Sequence, residues 1–260
     1  PMLLQMKRNR ARIATLTAYD ATFARAMDHA GIDAELVGDS LGMVIKGGAN
    51  TVSVSIDDMV YHSRCVAQGL QSALLIADMP FQSYATPERA LDAATALLSE
   101  GMASMVKLEG AGFVLDAIAF LSERDIPVCA HLGLTPQSVL KLGGFKVQGR
   151  DEQAALAIIE QAKQVERAGA QLLVLECLPS SLAKSVTETV GIPTIGIGAG
   201  PDCDGQILVS YDALGINSGH RRPRFVKDFL AGNGSIDAAF AQYVRDVKSG
   251  EFPSLEHGYA

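Results

Sequence analysis

Short and nearly unbroken apolar runs recur along the chain, separated by stretches whose apolar positions fall three or four residues apart. The runs are IATLTAY (13–19), AELVGDS (34–40), ALLIADM (73–79), SMVKLEG (104–110), PVCAHLG (127–133), LLVLECL (172–178), PTIGIGA (193–199) and QILVSYD (206–212). A strand buried on both faces loses the apolar–polar alternation of a half-exposed one, so these runs predict parallel strands covered by helices. Eight such strands, each with room for a helix before the next, predict an α/β fold of the (β/α)8 TIM-barrel type. The length of 260 residues suits it, since such barrels typically need about 250.

The gaps carry helix punctuation. Thr86-Pro87-Glu88 reads as an N-cap followed by proline at the first helical position and an acidic first turn, and Gly101 as the end of that helix. Asp151 opens another helix, with Leu156, Ile159 and Val165 as its apolar positions before Gly169. Ser181 opens a third, stopped by Gly191 and Pro193. The longer gap between the second and third runs contains TVSVS (51–55), whose period of two predicts a small hairpin, and then Ser55-Ile56-Asp57-Asp58, which resembles a capping box. After residue 219 only helical pattern remains. With no internal repeat and no shift of composition, residues 1–260 are expected to form one barrel domain with C-terminal helices.

Composition narrows the partners. With 29 acidic against 22 basic residues and a formal charge of −7, the chain is a poor general ligand for nucleic acid or an anionic membrane. Cys65, Cys129, Cys177 and Cys203 form no CxxC pair and read as reduced thiols, which suits the cytoplasm. No run of 18 apolar residues and no apolar signal-peptide core is visible, so neither export nor insertion is expected.

The candidate chemistry lies at the C-terminal tips of the runs. Asp20, Asp39 with Ser40, Asp78, Lys107 with Glu109, His131, Glu176 and Asp212 all fall there. Each alone could be a helix cap or a solvated loop residue. As a set they coincide with the barrel face where active sites of this fold collect. Lys107 and Glu109 are two apart on one strand and face the same side. They form either a structural ion pair or a site in which the lysine meets an anionic substrate. Asp39, Asp78 and Glu109 offer hard oxygen donors without any His or Cys set, which suits Mg2+ better than Zn2+. A histidine such as His131 can equally be a core residue bonded to backbone.

Several motifs together resemble one family. LTAYD (16–20), VGDSLGM (37–43), ADMPFQSY (77–84), VKLEG (106–110), HLGLTPQS (131–138), GGFKVQGR (143–150), LLVLEC (172–177), GIGAG (196–200) and DGQILV (204–209) are similar in order and spacing to the ketopantoate hydroxymethyltransferases. The resemblance runs from about residue 13 to 253. It implies a barrel of the phosphoenolpyruvate/pyruvate type, Mg2+, 5,10-methylenetetrahydrofolate as one-carbon donor, 3-methyl-2-oxobutanoate as acceptor, and a homodecamer. Position by position it implies that Asp39 and Asp78 ligate the metal and meet the substrate, with Glu109 a third acidic metal-site residue that acts through water. Ser40 and Lys107 would contact the keto acid, His131 would lie near it, and Glu176 would accept the C3 proton. The basic HRRPR (220–224) could meet the glutamate tail of a folate, or could be a solvated or intersubunit run. A lyase or mutase on the same barrel, or a non-catalytic metabolite-binding protein, are the competing readings. The lyase type would need a catalytic cysteine motif that is not visible. Binding alone would not need Glu176.

Overall fold

The computed structural model describes residues 2–216 and 222–260, so His220 and Arg221 of the HRRPR run lie outside the described residues. Eight parallel strands close in chain order into one barrel: β1 (Ile13–Thr17), β2 (Ala34–Val37), β3 (Leu74–Asp78), β4 (Met105–Glu109), β5 (Val128–Gly133), β6 (Leu172–Glu176), β7 (Thr194–Ile197) and β8 (Gly205–Leu208). β8 pairs back onto β1, with Ala14 opposite Gln206. Seven strands lie within their predicted runs, and β8 begins one residue before its run; all but β5 stop short of the run's end, whose last residues belong to the loops above the barrel.

The helices are α1 (Met2–Arg8), α2 (Ala21–Ala30), α3 (Leu41–Val44), α4 (Ile56–Ala67), α5 (Pro87–Ser99), α6 (Val114–Ser122), α7 (Val139–Leu142), α8 (Glu152–Arg167), α9 (Ser180–Thr189), α10 (Ser210–Ala213) and α11 (Ile236–Ser249). Their starts follow side-chain chemistry. Thr86 and Asp151 accept hydrogen bonds from the backbone N–H three residues on. Ser55 and Asp58 close a reciprocal capping box, which satisfies two otherwise orphaned amides. Asp20 caps α2 by accepting from the Thr22 and Phe23 amides at 2.8 and 3.0 Å. It is therefore a structural cap, the plainer of its two readings.

Three expectations are corrected. TVSVS forms turns leading into α4, with no strand pairing; a two-stranded ribbon alone on a surface lacks a face to pack against. On α8 the buried positions are Ile158, Ala162 and Val165, one face at i, i+4 and i+7, whereas Leu156 is 61% exposed. The segment after residue 219 is not helical throughout: among the described residues it holds α11 and a short 3-10 turn at Leu255–His257, with turns before them.

Two apolar layers explain the strand composition. Ile13, Ala34, Leu36, Ile76, Met105, Cys129, Leu172, Val174, Ile195 and Ile207 fill the barrel interior, and Leu3 and Met6 of α1 pack onto that cluster. Intervening residues such as Leu16, Val37, Leu75, Ala77, Val106 and Leu108 join the layer shared with the helices. Both faces of the strands are thus largely apolar, which accounts for the nearly unbroken runs. The inward series on β4 is Met105, Lys107, Glu109, and on β3 it ends Ile76, Asp78. It turns from apolar to ionisable only at the last positions, and this places the site.

Candidate active site at the C-terminal mouth of the barrel

A cavity of about 460 Å³ opens at the C-terminal ends of the strands, within the size range of small-molecule sites. Asp39, Ser40, Asp78, Lys107, Glu109, His131 and Glu176 all line it. So every residue to which the resemblance assigned a role is gathered in one place, joined by Asp212, whereas Asp20 does not line the cavity. The floor and walls are apolar and include Leu36, Val174, Ile197, Ile207 and Val209, with Phe145, Pro223 and Phe225 toward the opening.

Strand register dictates who meets whom. Asp78 pairs with Lys107 across β3 and β4, and Glu109 with His131 across β4 and β5. Accordingly Lys107 Nζ lies 2.6 Å from Asp78 Oδ1 but 4.0 Å from Glu109 Oε1. The ion pair within one strand, anticipated from sequence, is the looser of the two. His131 Nδ1 stands 3.4 Å from Glu109 Oε1, and its Nε2 stands 3.2 Å from Glu176 Oε2. The imidazole is thus no backbone-bonded core residue: it stands between the two carboxylates, with Nδ1 also 3.4 Å from Lys107 Nζ and Nε2 lacking hydrogen-bond geometry among the described residues. Asp78 Oδ2 accepts from the Asp39 amide at 2.9 Å, joining the tips of β2 and β3.

Gly38 leaves room for the Ser40 hydroxyl. A Cβ there would come 2.7 Å from Ser40 Oγ and 3.6 Å from Asp78 Oδ2. Ser40 Oγ is 2.8 Å from Tyr19 Oη, so the hydroxyl has a fixed neighbour. At the other side of the mouth a Cβ on Gly198 would meet Phe225 at 2.8 Å. The GIGAG stretch therefore serves close packing beside the cavity rather than a phosphate loop.

The electrostatics are strongly coupled. Asp39, Asp78, Lys107 and Glu109 are each at most 7% exposed. Burial, then the charges of Asp78 and Glu109, raise the Asp39 pKa well above the usual aspartate value. Burial also raises that of Asp78, against the pull of Lys107. Glu109 moves the other way: burial raises it, but bonding to His131, the Lys107 charge and the Gln137 amide outweigh burial and leave it lowered. Burial and Lys107 depress the His131 pKa, yet Glu109 and Glu176 prevail and carry it up to about 9. The cluster has more carboxylate than cation.

Three contributors were not identified from sequence. Gln137, on a 3-10 turn after β5 (Pro136–Ser138), bonds Asp39 through its side chain and Glu109 through its amide. Tyr84 Oη donates to Gln137 Oε1 at 2.5 Å, and Tyr19 faces Ser40. All three lie inside quoted motifs, LTAYD, ADMPFQSY and HLGLTPQS, but neutral loop residues carry no periodicity or charge signal that would mark them.

A family model described as ketopantoate hydroxymethyltransferase matches residues 1–255. The chain belongs to the ketopantoate hydroxymethyltransferase family. Among its curated relatives, one named 3-methyl-2-oxobutanoate hydroxymethyltransferase from Stenotrophomonas maltophilia is 59% identical over 260 residues, covering 100% of this chain and 95% of the relative. The protein of the same name from Xylella fastidiosa is 58% identical over 259 residues, with the same coverage. Solved structures similar in fold include 2,3-dimethylmalate lyase, described as a member of the PEP mutase/isocitrate lyase superfamily (TM-score 0.59, 18% identity, 82% of this chain and 81% of that one). Phosphonopyruvate hydrolase is another (TM-score 0.61, 14% identity, 98% and 92%). These likenesses show a shared (β/α)8 barrel fold, and family membership sets aside the lyase, mutase and binding-protein alternatives.

Among the described residues no three His, Cys, Asp or Glu side chains converge into a ready-made cage. Mg2+ does not require one, because it commonly takes one or two carboxylates and completes its shell with waters and substrate oxygens. Asp39 and Asp78, adjacent at neighbouring strand tips, fit that pattern. The proton that burial and neighbouring carboxylates favour on Asp39 is what a bound cation would displace.

Proposed function

We propose that this protein transfers a hydroxymethyl group from 5,10-methylenetetrahydrofolate to 3-methyl-2-oxobutanoate, giving 2-dehydropantoate in pantothenate biosynthesis. The observation that carries the reading is the division of the cavity. A buried ammonium and two acidic strand tips, Lys107 with Asp39 and Asp78, stand on one side of His131, and the Glu176 carboxylate stands on the other. The names of relatives identical at close to 60% support the same reaction.

Asp39 and Asp78 would hold Mg2+, with Glu109 reaching it through water, because Glu109 is already engaged by His131 and Gln137. When bound, the ion supplies Lewis-acid stabilisation of negative charge developing on the ketone oxygen. Lys107 pairs the substrate carboxylate, and the Ser40 hydroxyl, steadied by Tyr19, donates to the keto acid. His131 contributes to substrate binding from beneath, between Glu109 and Glu176. The apolar lining of Leu36, Val174 and Ile207 suits the isopropyl group and helps exclude water. Glu176 removes the C3 proton; its side chain is 14% exposed, against 4% for Lys107 and Glu109, so it is the more accessible of these charges. C3, on losing its proton, bonds to the folate methylene carbon as one of that carbon's two C–N bonds breaks and the freed nitrogen takes up a proton; water then replaces the second nitrogen on the methylene carbon, leaving a CH2OH group on C3 and releasing tetrahydrofolate. Homodecameric assembly and a cytoplasmic setting belong to the same reading. The free, buried thiols of Cys129, Cys177 and Cys203 are compatible with a reducing compartment.

The test is NMR of 3-methyl-2-oxobutanoate in D2O with the protein and Mg2+, with and without methylenetetrahydrofolate. Deuteration at C3 without the folate and 2-dehydropantoate with it is the expected result. No exchange and no product would reject the reaction.

A further inference from the structure

We propose that Gln137 is a positioning residue that fixes which oxygens of Asp39 and Glu109 face the candidate metal site; this rests on the metal reading above. Gln137 is only 6% exposed and uses every polar atom of its side chain. Nε2 donates to Asp39 Oδ2 at 2.9 Å and to the Met79 carbonyl at 3.0 Å. Oε1 accepts from Tyr84 Oη, and the Gln137 backbone amide donates to Glu109 Oε2 at 3.0 Å.

These bonds fix the amide's orientation. Rotating it by half a turn would set Oε1 against the Met79 carbonyl, which only accepts, and would exchange the Tyr84 hydroxyl bond to Oε1 for a crowded contact with the Nε2 hydrogens. Tyr84 Oη is committed from its other side, because it accepts from the Glu109 amide at 3.3 Å. One loop residue after β5 therefore ties the tips of β2, β3 and β4 together. It holds Asp39 by Oδ2 and Glu109 by Oε2, so Asp39 Oδ1 is the oxygen not committed to Gln137. Gln137 is not among the residues that line the cavity, so it acts from behind the carboxylates. Such partners typically govern metal affinity by about 10- to 100-fold.

The experiment is titration of Mn2+, read from the electron paramagnetic resonance of the free ion, with no keto acid or folate present. Near-UV circular dichroism checks that each variant is folded at the titration temperature. In a folded protein a loss of global stability alone does not change the dissociation constant, so this readout separates positioning from scaffolding. Gln137→Met, which keeps the volume and removes the hydrogen bonds, should bind Mn2+ about 10- to 100-fold more weakly than the unmodified protein. Tyr84→Phe, which removes only the anchor of Oε1, should show a smaller loss, and it decides the matter if Gln137→Met does not fold. Asp39→Asn should abolish binding. If Asp39→Asn loses the ion while folded Gln137→Met, or Tyr84→Phe in its place, binds it as the unmodified protein does, the positioning role is overturned and the metal reading stands. If the unmodified protein binds no Mn2+, or Asp39→Asn binds it normally, both fall together.

Discussion

Lys107 Nζ rests 2.6 Å from Asp78 Oδ1, and both side chains are 4% exposed. The pair is a consequence of register, since the two residues are opposite partners on β3 and β4. Removing two charges from water is costly, and a buried pair recovers that cost only with close geometry and further bonds. Here Asp78 also accepts from the Asp39 amide. The ammonium in turn is shared with Glu109 and Asp39, whose charges, with that of Asp78, hold its pKa above the usual lysine value despite burial. Lys107 is therefore both a structural cation and the group proposed to receive the substrate carboxylate.

That double role predicts two separable losses. Lys107→Met should cost about 3–5 kcal/mol of stability, the usual effect of stranding a buried charge, and should raise KM for the keto acid sharply. Adding Asp78→Asn should recover much of the stability without recovering activity. Urea unfolding and steady-state kinetics on both variants check this. A single variant as stable as the parent would mean that the pair is not buried in solution.

The barrel was legible because its strands are buried on both faces, so eight unbroken runs could be counted without knowing which residues point inward. The site was legible because charge at the end of such runs is costly unless used. What escaped detection depends on contacts between distant segments. Lys107 lies nearer Asp78 than Glu109 because of register, which no single run encodes. Gln137 looks like any loop glutamine until β2 and β4 are placed beside it. Asp20 taken alone reads as a cap and joins the site only through its place at a strand tip, and its distances to the Thr22 and Phe23 amides bear out the cap. TVSVS alternates as a strand would, yet among the described residues nothing pairs with it.

Asp39→Asn should behave oppositely with and without metal. Burial and the neighbouring carboxylates raise its folded pKa well above the usual 3.8, so above that pH the folded chain holds a proton that the unfolded chain has released, and stability falls as pH rises. In EDTA at neutral pH the variant should melt at or above the parent's temperature. With Mg2+ at 100 times its dissociation constant the parent should gain about 2.7 kcal/mol, and the variant none. Calorimetry with and without the ion checks both signs; equal stabilisation of the two proteins by Mg2+ would remove Asp39 from the metal site.

Glu35 predicts a pH dependence unrelated to catalysis. It sits on β2 between the inward-facing Ala34 and Leu36, is fully buried, and among the described residues neither carboxyl oxygen has a hydrogen-bond partner. Burial, helped by the charge of Asp28, lifts its pKa from 4.5 to about 9. Between those values the folded state binds one proton more than the unfolded state. Its contribution is therefore full below 4.5 and declines by about 1.4 kcal/mol per pH unit as pH rises through that window. Glu35→Gln should flatten this decline, so its advantage over the parent should grow from pH 5 to pH 8. Parallel stability profiles would show that the carboxyl titrates normally.

Glu176→Gln tests the proton-transfer step most directly. The substitution keeps size and polarity but removes the ability to take a proton, while Asp39, Asp78 and Lys107 stay in place. Mn2+ and keto-acid binding should be nearly unchanged, and exchange at C3 in D2O should slow by about 10²- to 10⁴-fold, the usual contribution of a positioned general base. His131, whose Nε2 stands 3.2 Å from Glu176 Oε2, offers a control. His131→Gln should slow exchange less, because it removes a neighbour of the base and leaves the base itself. If exchange persists at the parent rate in folded Glu176→Gln but collapses in His131→Gln, the proton is taken by the imidazole, and the carboxylate serves to hold it.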